Sequence, residues 1–166
     1  MAGAWRKLFR TEEIASPPAS VARLFQRSFG HPIPTYPRHF VMWYEPHGGG
    51  EAMVAAYIHQ LPFHEVHLAG GMCVDPRIYR MLDAATFREV RDAGGLATVI
   101  MTDTYALLGE SPAVFGHVNE PRARQADLRA GMIDTGREHL MVYWRRELPP
   151  AEKRRLVDLV AAHGAF

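Results

Sequence analysis

Apolar positions change their spacing several times along this chain, and each change marks an element. Val21, Leu24, Phe25 and Phe29 recur every three to four residues, which gathers side chains on one helix face. Ser16-Pro17 precedes them as N-cap and first helical position, and Gly30 follows as a left-handed stop. Trp5, Leu8 and Phe9 predict a first strand over residues 5–10. Residues 40–44 and 52–58 are β-prone runs joined by Pro46-His47-Gly48-Gly49-Gly50, a hairpin signal. A third run, residues 64–74, follows Pro62. Its Gly70-Gly71 pair predicts a bulge or a close backbone approach. Tyr79, Leu82, Phe87, Val90 and Ala93 predict one helix over residues 79–93, stopped by Gly94-Gly95. Residues 96–101 form a continuous apolar run, as in a strand buried on both faces. A short strand at 114–118 and a polar helix at 121–130, ending at Gly131, come next. In the strand at 139–144, Leu140, Val142 and Trp144 alternate with Met141 and Tyr143. Leu156, Leu159, Val160 and His163 place a last helix after Pro149-Pro150.

Three antiparallel strands followed by a strand–helix–strand unit imply an α/β (α+β) fold, a mixed sheet with helices packed on it. At 166 residues the chain is expected to form one domain, residues 1–166. Composition changes this picture little: 48% hydrophobic and 22% charged residues are ordinary globular values. A net charge of +1 argues against a nucleic-acid footprint, which needs a basic excess or stripe. Arg145-Arg146 and Lys153-Arg154-Arg155 read as a solvated face. Cys73 is the sole cysteine, which excludes an intrachain disulfide and a cysteine-based metal cluster. The first ten residues lack the apolar segment of a signal peptide, and no apolar run approaches the roughly 18 residues of a membrane span. The expectation is a soluble cytoplasmic protein with no membrane partner.

Several phrases, taken in order, resemble the GCN5-related N-acetyltransferase (GNAT) family over residues 24–144. They are Leu24-Phe25 with Phe29-Gly30, Trp43-Tyr44, Gly70-Gly71-Met72-Cys73-Val74-Asp75-Pro76, Val114-Phe115-Gly116-His117-Val118-Asn119, and Gly131-Met132. The resemblance implies a mostly antiparallel sheet of six to seven strands flanked by helices, splayed at a central parallel pair. It implies that the pantetheine arm of an acyl thioester, acetyl-CoA or another acyl-CoA, lies in that splay. Backbone contacts would come from Met72, Cys73 and Val74, with Asn119 on the facing strand. It also implies a Gln/Arg-x-x-Gly-x-Gly/Ala turn around the pyrophosphate, because glycines let backbone N–H groups approach phosphates at a helix N-terminus. Counted from Val74-Asp75-Pro76, that turn falls on residues 79–84, where only Ala84 fits and Leu82 replaces the central glycine. Arg77 and Arg80 remain as phosphate contacts. The family's thiolate-protonating tyrosine falls on Asp127, and an ionised carboxylate repels a thiolate.

Transfer to an amine needs a proton acceptor. His67 and Glu65 share a face of the strand leading to the bulge, and His117 precedes Asn119 by two residues; these three are the catalytic candidates. Tyr36, His39, Trp43 and His59 border the acceptor side and are candidates for binding substrate. His64-Glu65-Val66-His67 is not His-Glu-x-x-His, so no metal is expected. The resulting expectation is an N-acyltransferase acting on a small-molecule amine. One alternative takes the acyl group from a carrier-protein phosphopantetheine, with an acyl carrier protein as partner. Another is a non-catalytic member that binds a ligand or partner through the same slot. A homodimer is compatible with any of these.

Overall fold

The computed structural model describes residues 3–166. After a 3₁₀ turn at Ala4–Leu8, the chain runs β1 Phe9–Ile14, α1 Ala19–Phe29, β2 Arg38–Tyr44, β3 Met53–Phe63 and β4 Val66–Val74. It continues through α2 Pro76–Met81, α3 Ala84–Asp92 and α4 Gly95–Leu107 to β5 Ala113–His117. The rest is α5 Pro121–Arg129, β6 Ile133–Asp134, β7 Leu140–Trp144 and α6 Pro150–His163. The strands form one sheet in the order β1-β2-β3-β4-β5-β7-β6. Every pairing is antiparallel except β4 with β5. The expected mixed, mostly antiparallel sheet with one parallel pair is therefore present, with seven strands.

Helices cover both faces. On one, α4 packs against Phe40, Met42, Ile58, Val114 and Met141. On the other, α1 buries Val21, Leu24 and Phe25 against Val41, Tyr57 and Cys73, and α6 buries Leu156 and Val160 against Leu68, Phe115 and Val142. Each such side chain contributes roughly 1.5–3 kcal/mol by leaving water. Among the described residues no helix is long and apolar enough to cross a membrane.

Four local readings need correction. Residues 96–101 are the first half of α4, not a strand. Leu96, Thr98, Val99, Ile100 and Met101 are all buried, so no polar stripe marks a helical period, and a helix buried nearly all round resembles a buried strand in sequence. The parallel neighbour of β4 is instead β5. The helix expected over 79–93 is two helices, because Asp83 accepts hydrogen bonds from the Ala85 and Thr86 backbone N–H groups and starts α3 afresh. The first strand lies later, at Phe9–Ile14, after the turn that buries Trp5 and Leu8. Glu65 lies in the turn between β3 and β4, where His64 has φ +48°.

Candidate functional site

Parallel pairing between β4 and β5 is short. His67 faces Val114, Leu68 faces Phe115 and Ala69 faces Gly116, and there the ladder ends. Across β3 the register of β4 slips between Tyr57 and His59, opposite Gly70 to Cys73. This is the bulge that Gly70-Gly71 predicted. Gly71 has φ +61°, and a Cβ there would stand 2.5 Å from His59 Cε1 and 2.7 Å from Phe25 Cε2. Only glycine combines that backbone with so close a ring.

Beyond the last paired residues the strands part around a cavity of about 180 Å³. Gly70, Gly71 and Met72 form one wall, Gly116, His117 and Val118 the other, and Ala123 and Asp127 from α5 overhang it. Phe29 from α1 and Met101 from α4 also line it. β4 backbone beyond Ala69 has no strand on its β5 side, so its polar groups are free to meet a ligand.

Asp127 is only 6% exposed. Burial pushes its carboxyl up to about 6, against a weaker downward pull from Arg124. Burial thus favours the protonated form of Asp127 more than in an exposed carboxyl, which weakens, without removing, the expected repulsion of a thiolate. Its position before Gly131-Met132 was visible in the sequence; its desolvation was not.

The catalytic candidates scatter. His117 lines the slot. His67 lies where β4 and β5 are still paired. Its Nε2 accepts from Arg38 Nη1 at 3.1 Å, and Arg38 is in turn bound to Glu13 at 2.7 Å. Burial, then the charges of Arg38 and Arg145, lower its pKa to about 4. Glu65 forms an ion pair with Arg155 of α6, and that hydrogen bond holds its carboxyl below the usual range. Neither His67 nor Glu65 lines the slot.

The expected donor contacts divide similarly. Met72 lines the slot. Cys73 and Val74 pair with Tyr57 and Ala56 of β3. Burial pushes the Cys73 thiol up to about 11, so it acts as a small packing residue. Asn119 opens onto a neighbouring cleft with Arg124 and His139. Arg77 is engaged by Asp75 at 2.6 Å, and Arg80 is exposed on α2. On the acceptor side, Tyr36 is 73% exposed. Trp43 Nε1 donates to Glu12 Oε1 at 2.7 Å. His39 is buried beneath α1 and bonded to Tyr57. His59 is the one of the four that touches the bulge.

Residues 79–84, where the resemblance implies a phosphate turn, span the end of α2 and the start of α3. The helix that crosses the sheet after β4 is α4, and Arg91-Asp92-Ala93-Gly94-Gly95 opens it. Gly94 and Gly95 have φ +96° and +87°. Arg91 and Arg129 flank them in a surface pocket of about 360 Å³, with Tyr79 and Phe87. Arg91-x-x-Gly94 supplies the start of the expected pattern, with Leu96 in its last position. Leu82 merely ends α2. Tyr79 Oη accepts the Leu96 N–H at 2.9 Å, so one backbone donor of this turn is already occupied. The signal overlooked in the sequence was a glycine pair read as a stop to one helix when it also opens the next.

Among the described residues no group of three or more His, Cys, Asp or Glu side chains is placed to hold a metal. No protein-family model matches this chain, and no curated protein matches it significantly.

Proposed function

We propose that this chain is an N-acyltransferase that takes an acyl group from acyl-CoA and passes it to a small-molecule amine. The slot between β4 and β5 carries this reading. It is narrow and apolar and has free backbone on one wall, which suits a pantetheine arm whose amides need partners and whose methylenes need cover. The acyl carbonyl would meet backbone N–H groups at Gly71 or Met72, which favour the oxyanion of a tetrahedral intermediate. Asp127 overhangs the slot, and its protonated form, favoured by burial, would give a proton to the departing thiolate. Arg91, Arg129 and the α4 N-terminus supply positive potential for the donor's phosphates.

A second donor is favoured by one observation. Tyr79 occupies the Leu96 N–H, which suits a carrier-protein phosphopantetheine with one phosphate better than a pyrophosphate. Calorimetric titration with acetyl-CoA and with 4′-phosphopantetheine tests both readings, followed by an assay of thioester consumption with amines. Tighter acetyl-CoA binding supports the free coenzyme, and equal affinities support the carrier-bound arm. An absence of binding by either ligand overturns both.

A further inference from the structure

Three side chains form a line beneath α1, on the sheet face away from α4. His39 of β2 has its Nδ1 2.7 Å from Tyr57 Oη. Tyr57 Oη lies 3.5 Å from Nδ1 of His59, two residues along β3. The far side of the His59 ring rests on the bulge. A Cβ on Gly70 would stand 2.8 Å from His59 Nε2, and one on Gly71 would stand 2.6 Å from Nδ1. Two consecutive residues of β4 thus lack side chains where this ring lies. Phe25 flanks the ring at 6.2 Å between centroids and packs on Phe29, which lines the slot. His59 therefore lies against the bulge backbone on its α1 side, across Gly70 and Gly71 from the slot.

The line has a direction. A phenol is a better donor than a neutral imidazole, and the 2.7 Å contact assigns the Tyr57 proton to His39 Nδ1. The Tyr57 oxygen is then left to accept from His59 Nδ1–H across the longer 3.5 Å contact, the tautomer that puts the Nε2 lone pair beside Gly70. The titratable groups around the line are His39 from β2, Tyr57 on β3 itself and Cys73 from β4; α1 contributes the uncharged ring of Phe25. Burial first and His39 second push the His59 imidazole down to about 4, so it is neutral near pH 7.

We propose that His59 is the base that receives the acceptor amine's proton at Nε2, and that Tyr57 and His39 are positioning residues that hold it in the Nδ1–H tautomer. This rests on the acyl-transfer reading above. The amine nitrogen forms the C–N bond and gives its proton to His59 Nε2. The C–S bond breaks, and sulfur keeps the electron pair and takes the proton of Asp127. His59 then loses its proton to water and Asp127 regains one, so thioester plus amine become amide plus thiol with no other reactant.

Long-range ¹H–¹⁵N spectra of labelled protein at pH 7 test the tautomer directly. Nδ1–H is expected for His59 in the wild type, with a shift toward Nε2–H in Tyr57→Phe. Nε2–H in the wild type overturns the proposal. Acetyl-CoA consumption with phenethylamine, a probe chosen for the aromatic walls, tests the role. His59→Gln is expected to lower kcat about 100-fold or more with KM for acetyl-CoA unchanged, and Tyr57→Phe to lower kcat less. An unchanged kcat in a folded His59→Gln protein overturns the proposal while leaving acyl transfer intact. Failure to bind either acetyl-CoA or 4′-phosphopantetheine overturns acyl transfer and the base role together.

Discussion

Gly71 and Asp127 show how strongly single positions are set by their surroundings. Gly71 has a positive φ and two rings within 2.7 Å of the missing Cβ. Gly71→Ala therefore combines backbone strain with overpacking, and a loss of roughly 2–4 kcal/mol is expected in urea unfolding. A loss below about 1 kcal/mol would mean that the bulge is not rigid. Asp127 has its pKa raised from 3.8 to about 6. The folded state thus binds the proton more tightly than the unfolded state. Its contribution to stability is complete below pH 3.8 and is lost as pH rises through about 6. Asp127→Asn, which cannot ionise, should gain stability relative to wild type between pH 4 and 7. The gain is on the order of 2–3 kcal/mol by the linkage relation. A difference independent of pH would show that the carboxyl is solvated in the folded protein.

At the scale of elements, α4 and its opening turn carry the lesson. An apolar run bounded by Gly94-Gly95 serves a buried strand and a buried helix equally well, and only packing decides between them. Here β5 already fills the place beside β4, so residues 95–107 cross over the sheet and cover it. Tyr79 reaches across from α2 to cap the Leu96 N–H. Tyr79→Phe removes that acceptor and should cost about 1 kcal/mol. If that turn holds the donor's phosphates as proposed, the substitution should also tighten acetyl-CoA binding relative to 4′-phosphopantetheine, because a backbone donor is released there. Calorimetry with both ligands checks this, and weaker acetyl-CoA binding would assign the hydroxyl to the ligand site itself.

For the whole molecule, buried titratable groups dictate the response to acid. His39, His59 and His67 all have lowered pKa values, the last two at about 4, and burial is the leading cause for each. Their neutral forms suit the fold. Their contribution is present above pH 6.5 and is lost as pH falls toward 4. Asp127 acts in the opposite sense over nearly the same range. His59 and His67 against Asp127 leave the unfolded state holding about one more proton near pH 5, and His39 adds in the same direction, so stability should fall there by at least roughly 1.4 kcal/mol per pH unit. Urea midpoints between pH 4.5 and 7 measure the slope, and His67→Gln should reduce it by about one proton. A flat profile would show that the histidines are hydrated in the native state.

Sequence alone determined the mixed sheet, the bulge, the amphipathic α1 and the polar α5, because each rests on local chemistry: alternation, helical spacing, or a glycine pair where side chains do not fit. It also placed Met72, His117 and Asp127 near the later slot through short phrases in the right order. Tertiary structure decided the rest, and for physical reasons. His59 reaches the bulge only because β3 and β4 pair with a slip. His67 does not reach the slot because the parallel ladder is still closed at its level. Glu65 is turned toward α6, some 90 residues away in the chain. Desolvation shifts Asp127 toward its protonated form. Burial and contacts between distant segments are properties of the packed chain, and no spacing within a single run of residues encodes them.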